Sequence, residues 1–127
     1  MSLDVYGEEI LEHYHNPRNF GTLEKPDVVA RESNPLCGDV VELHLKLENG
    51  SVSQVRFRGE GCAISVASAS MLTEMVKGKG LHELERMPSS RMLERLGVRL
   101  SPTRMKCALL AFSALKAALR TKAGHSF

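Results

Sequence analysis

No apolar run in this sequence approaches the ~20 residues needed to span a bilayer. The opening MSLDVYGEEI has neither the basic start nor the apolar stretch of a signal peptide. A cytoplasmic protein with no membrane partner is expected. Charge of one sign is also missing: charged residues make up 25% of the chain but cancel to a formal net charge of +2. No field remains of the kind that draws a protein onto nucleic acid. Paired cysteines are absent too. Cys37, Cys62 and Cys107 are an odd set that cannot close a disulfide framework within one chain, and none lies in a C-x-x-C pair. Reduced thiols are expected, and if they cooperate the fold must gather them. No internal repeat, low-complexity run or long linker interrupts the sequence. With 127 residues and 43% apolar content, residues 1–127 are expected to form a single domain around one core.

The pattern along the chain predicts an α+β fold, a small three-stranded antiparallel sheet with helices packed mainly on one face. Leu3, Tyr6, Ile10, Leu11 and Tyr14 fall at helical spacing, and NPRNFG ends that helix. Asp27 to Arg31, Asp39 to Leu47 and Val52 to Arg58 read as strands. Between the last two, a two-residue Asn49-Gly50 turn would set Leu43 opposite Arg56. A loop one residue longer sets Leu43 opposite Val55, Val41 opposite Phe57 and Glu42 opposite Arg56, and buried patterning favours that register. It brings Asp39 near Gly59 and Cys62 beside Cys37. After Cys62, Ile64, Ala67, Met71 and Met75 form a helical stripe that stops at Gly78. Two short helices divided by Pro88 follow. Ser101-Pro102 opens a last helix running to about Lys122, with an apolar stripe through Met105, Leu109, Phe112, Leu115 and Leu119.

Cys62 follows RGEGC at a helix start, where free backbone N–H groups and the dipole stabilise a thiolate. Cys107 projects away from the centre of the last helix's stripe, with Lys106 on the opposite flank. Taken singly, each cysteine also reads as a small buried hydrophobe, and Asp39 as a cap for the turn after Gly38. Together, Cys37, Asp39, Cys62 and Cys107 make a four-ligand set suited to tetrahedral zinc or, through soft sulfur, to an iron-sulfur cluster. The five histidines, His13, His15, His44, His82 and His125, read as solvated residues rather than ligands.

The stretches EEILEHYHNPRNFG, NPLCGD, GEGCAISVASASM and RMKCALLAF together resemble the U-type iron-sulfur cluster assembly scaffold family, IscU/SufU-like and similar to the NifU N-terminal domain, over nearly the whole chain. The resemblance implies a scaffold that accepts persulfide sulfur from a cysteine desulfurase. On it a labile [2Fe-2S] cluster is assembled and passed to apo iron-sulfur proteins or carrier proteins. It carries the cluster and metal ligands onto Cys37, Asp39, Cys62 and Cys107, persulfide acceptance onto Cys107, and scaffold association onto Tyr6. Zinc is implied in the isolated protein, and the oligomeric state is left open between a monomer and a homo-oligomer. Two positions depart from the IscU pattern. Lys106 stands where that branch places a histidine, and a protonated ammonium has no lone pair for a metal. GVRLSPTRMKC also lacks the LPPVK sequence read by a dedicated Hsp70-type chaperone. Lys106 keeps an alternative in view: a SufU-like, zinc-dependent sulfurtransferase relaying persulfide sulfur, an enzyme rather than a non-catalytic scaffold. The insertion typical of that branch is absent.

Overall fold

The computed structural model describes the backbone of residues 2–125 and the side chains of residues 7–121. The element order is α1 (Ser2–His15), β1 (Val28–Asn34), β2 (Asp39–Glu48), β3 (Ser51–Glu60), α2 (Ala63–Val76), α3 (Leu81–Glu85), α4 (Ser89–Leu96), α5 (Pro102–Ala108) and α6 (Leu110–His125). Tyr6 lies within α1, but its side chain is outside the described residues. The strands form one antiparallel sheet in the order β1-β2-β3. The architecture is therefore the α+β one the pattern predicts.

Alternation along β2 and β3 decides which face is covered. Val41, Leu43, Leu45, Val55 and Phe57 are buried, and α2 and α6 pack against the sheet. Each fully buried aliphatic or aromatic side chain contributes about 1.5–3 kcal/mol. α2 is buried on most sides, because Ala67, Ser68, Ala69 and Ser70 are small enough for α1 and α6 to approach it closely. The free edge of β3 is not left open. The Gly21 N–H donates to the Phe57 carbonyl and the Phe57 N–H to the Asn19 carbonyl, while Val52 exchanges bonds with Gly78 and Lys79 farther along. This removes a template for strand addition by another chain.

Two expectations need correction. The hairpin keeps the two-residue Asn49-Gly50 turn, with both residues at positive φ (53° and 78°). A bulge between Lys46 and Leu47 then shifts the register, so that Leu45 faces Val55, Leu43 faces Phe57 and Glu42 faces Arg58. Ser53 is the extra residue. The bulge restores apolar-to-apolar pairing without lengthening the loop. The last helix is also two helices. Ser101 caps α5 by accepting the Arg104 N–H, but Leu109 leaves helical geometry (φ −101°, ψ 2°) before α6 begins. The stripe therefore does not run through Met105, which is exposed, and α5 turns Cys107 and Ala108 inward instead.

Candidate metal centre

The centre lies at the open end of the β2–β3 hairpin. Asn34 and Asp39 pair across the end of β1 and β2, and the residues between them form a tight loop. The Cys37 and Gly38 N–H groups both donate to the Asn34 carbonyl, and the Leu36 N–H donates to Asn34 Oδ1. Gly38 closes the loop at φ 76°, a left-handed conformation that costs glycine little. The loop leaves Leu36 and Cys37 exposed at its tip. Asp39 turns the other way and is only 2% exposed.

The corrected register brings Asp39 closer to the third strand's exit than the sequence suggests. Pairing ends at Val40 with Glu60, which sets Asp39 level with Gly61 rather than Gly59. Asp39 Oδ1 accepts the Cys62 N–H at 3.3 Å, and Oδ2 accepts the Ser65 hydroxyl at 2.7 Å. Gly61 is required here for space, since a Cβ on it would lie 2.6 Å from Asp39 Oδ1. Gly61→Ala should therefore displace the carboxylate while leaving the core intact. We expect zinc affinity to fall about tenfold or more, as when the groups that orient a ligand are lost, with little change in urea midpoint. Competition against a chromophoric chelator measures the first, and an unchanged affinity would refute the assignment of Gly61.

Cys107 reaches the same place from α5. Its sulfur, the Cys37 sulfur and an Asp39 oxygen all lie within 4.8 Å of one another. Cys62, the N-cap of α2, adds a third thiol, 3.7 Å from Ser65 Oγ and in contact with Cys107. Three of the four residues singled out in the sequence, Cys37, Asp39 and Cys107, thus present donors to one point, and Cys62 borders them through its N–H to Asp39 and its contact with Cys107, so that three separate stretches of chain meet. Exposure grades across them, with Cys37 exposed, Cys62 half-buried and Cys107 buried.

Burial and neighbours set the thiols apart. Burial pushes the Cys107 thiol up, and hydrogen bonding to Asp39 and Cys62 and their charge add to it, to about 12. Burial also pushes Cys62 up. Ser65, through its N–H and hydroxyl, with Cys107 and the Ile64 N–H, outweighs that effect and leaves Cys62 lowered. In the metal-free protein Cys62 is the readier thiolate, and Cys107 holds its proton.

Sequence reasoning missed Ser65. Its signal was its place three residues after Cys62, on the same face of the first helical turn. The histidines also need correction, because His13 and His44 are buried. His13 Nδ1 lies 2.6 Å from Ser70 Oγ under α2, and its pKa is lowered by burial and then by Arg18. His44 Nδ1 accepts the Leu23 N–H. Neither belongs to the cysteine group. Lys106 is exposed and lines a separate cavity of about 320 Å³ with Pro35, Leu110 and Ser113.

The model of the NifU-like N terminal domain matches residues 5–125. The chain is 41% identical over 119 residues to the iron-sulfur cluster assembly enzyme IscU of Drosophila melanogaster, covering 91% of this chain and 76% of that one. It is 40% identical over 119 residues to the iron-sulfur cluster assembly scaffold protein IscU of Haemophilus influenzae, covering 91% and 93%. Among solved structures, FiSufU from the thermophile Fervidobacterium islandicum AW-1 superposes with a TM-score of 0.78 at 28% identity, covering 94% of this chain and 99% of that one. A NifU-like N-terminal protein from Brucella abortus gives 0.74 at 28% identity, covering 94% of each. Family model, relatives and folded neighbours agree, and the chain belongs to the NifU-like N-terminal domain family.

Proposed function

We propose that this protein is an iron-sulfur cluster assembly scaffold. It accepts persulfide sulfur from a cysteine desulfurase, assembles a labile [2Fe-2S] cluster on Cys37, Asp39, Cys62 and Cys107, and releases it to apo-proteins or carrier proteins. The observation that carries this reading is the convergence of two thiols and one carboxylate, Cys37, Cys107 and Asp39, with the third thiol, Cys62, bordering them and Cys37 on an exposed loop. A structural zinc site is usually closed and built from paired local ligands; this one opens at Cys37. Asp39 suits release, because a hard oxygen donor holds iron less firmly than thiolate does in a set made otherwise of sulfur. The names of the relatives support the scaffold assignment over a sulfur relay. We read residues 1–127 as one such domain.

Sulfur transfer needs a thiolate. Cys107 S⁻ attacks the outer sulfur of the desulfurase persulfide, that S–S bond breaks, and the desulfurase cysteine leaves as thiolate. Reducing the transferred sulfane sulfur to sulfide takes two electrons from a separate low-potential donor. Because Cys107 is buried and its thiol lies near 12, its proton must be displaced before attack. One observation favours the zinc-dependent reading as a second: three donor atoms within 4.8 Å of one another fit a single four-coordinate ion. Zinc bound there would supply the charge that keeps coordinating thiols deprotonated, and we expect zinc in the protein as isolated. No helix among the described residues is long and apolar enough to cross a membrane. Free cysteines fit a reducing compartment, and on that ground we propose a cytoplasmic location.

Anaerobic incubation with ferrous iron, cysteine, a desulfurase and a reductant should give the visible absorption of a [2Fe-2S] cluster, which apo-ferredoxin then takes up. Failure of both steps counts against the scaffold. Acceleration of desulfurase turnover by the zinc form, without cluster formation, would establish the sulfur relay instead.

A further inference from the structure

The cysteines occupy one end of α2, and the other end carries a feature they do not use. Beyond Val76 the chain turns at Gly78 into α3, and Pro88 redirects it into α4. Between these helices lies an open groove of about 450 Å³. Its floor is apolar, made by Met75, Leu84 and Met87. Its rim is basic. Lys79, Arg86 and Arg91 stand there against a single acid, Glu83, which Lys79 meets at 3.9 Å. Arg86 and Arg91 are exposed and make no ion pair among the described residues.

We propose that this groove docks an acidic, amphipathic segment of a partner protein, whose apolar side chains fill the floor and whose carboxylates meet Arg86, Arg91 and Lys79. The cations come from three different places around the rim, Lys79 from the turn before α3, Arg86 from the cap after it and Arg91 from α4, and no set of polar groups converges inside, as orienting a small polar molecule would require. An apolar centre within a charged rim is the anatomy of a protein–protein contact. Recessed apolar residues cannot insert into a bilayer as a protruding apolar face does. The local surplus of positive charge selects an acidic partner over a basic one. α2 has 14 residues, so the groove lies roughly 20 Å from the cysteines at ~1.5 Å per residue. A partner held there leaves the exposed Cys37 loop free. The proposal is independent of what the cysteines bind.

The test uses the full chain and three fluorescein-labelled peptides of one amphipathic pattern, with glutamate, glutamine or lysine at the polar positions. Anisotropy should show saturable binding of the glutamate peptide, at least about tenfold tighter than the glutamine peptide and weakened by salt. Arg86→Glu with Arg91→Glu should cost at least another tenfold, and NMR should place the shifts at the Met75 and Met87 methyls. Circular dichroism and zinc content should not change, since both arginines are exposed and remote from the cysteines. If charge reversal disturbs the fold, Arg86→Gln with Arg91→Gln serves the same comparison. No saturable binding of the glutamate peptide, equal binding of all three, or indifference to the arginine variants overturns the proposal. So does binding of phosphatidylglycerol vesicles or duplex DNA that the same variants abolish, which would assign the groove to a membrane or to nucleic acid.

Discussion

Cys107→Ser should lower zinc affinity by about a hundredfold or more while leaving the fold in place. Loss of groups that merely orient a ligand costs about 10–100-fold, and on the proposed assignment a ligand itself is lost, from the buried side of the site. The new hydroxyl has an acceptor in the neighbouring Asp39 carboxylate, so the change in unfolding free energy should stay within about 1.5 kcal/mol, the scale of one hydrogen bond. Chelator competition reads the affinity and urea denaturation of the metal-free protein reads the stability. The same variant should fail to gain the mass of a transferred sulfur atom when incubated with a desulfurase and cysteine. Cys37→Ser provides the contrast. It too should weaken metal binding, but from an exposed loop tip, with sulfur acceptance kept at Cys107. Full retention of zinc affinity by Cys107→Ser would remove Cys107 from the ligand set. A collapse of stability with unchanged metal affinity would make it a packing residue, the bland reading its burial also allows.

Much of this site was legible before the structure, and the reasons differ residue by residue. Cys62 could be placed at a helix start because the glycine-rich turn before it and the helical stripe after it are both local signals. Asp39 could be placed near it because strand alternation fixes which face each residue takes, and parity survives a shift of two residues. The register itself was not legible. The bulge between Lys46 and Leu47 has no strong sequence mark, and patterning alone could not separate a longer loop from a two-residue turn followed by a bulge. Cys107 was recognised as unusual for the wrong geometric reason. A straight helix would point it off the apolar stripe, whereas the break at Leu109 lets α5 turn it into the interior. The buried histidines were missed because neither α1 nor β2 announces its partners. His13 is covered by α2, more than fifty residues away in sequence, and the loop that bonds His44 has no periodicity to read.

The same packing that gathers the candidate ligands should make the metal-free protein sensitive to alkali. Cys107 has a folded pKa of about 12 against an ordinary 9.0, so above pH ~9 the folded state holds a proton that the unfolded state has released. Stability varies with pH as the difference between protons bound in the unfolded and native states, and that difference is negative here. The contribution of Cys107 is complete below pH ~9 and is lost progressively as pH rises toward 12. Cys62 runs the other way: its folded pKa is lowered, so its contribution is present above the ordinary thiol pKa and lost as pH falls through the folded one. Other groups titrate between pH 9 and 11, so the informative quantity is the difference between wild type and Cys107→Ala. We expect wild type to lose urea stability more steeply over that range. The steeper slope should vanish in the zinc-loaded protein, where metal binding has already displaced the thiol protons. The same linkage should make zinc affinity rise with pH below 9, by up to about tenfold per pH unit for each proton displaced. Parallel stability profiles for wild type and Cys107→Ala would mean that Cys107 does not hold its proton in the fold. In that case burial, together with Asp39 and Cys62 beside it, would not be raising the Cys107 thiol.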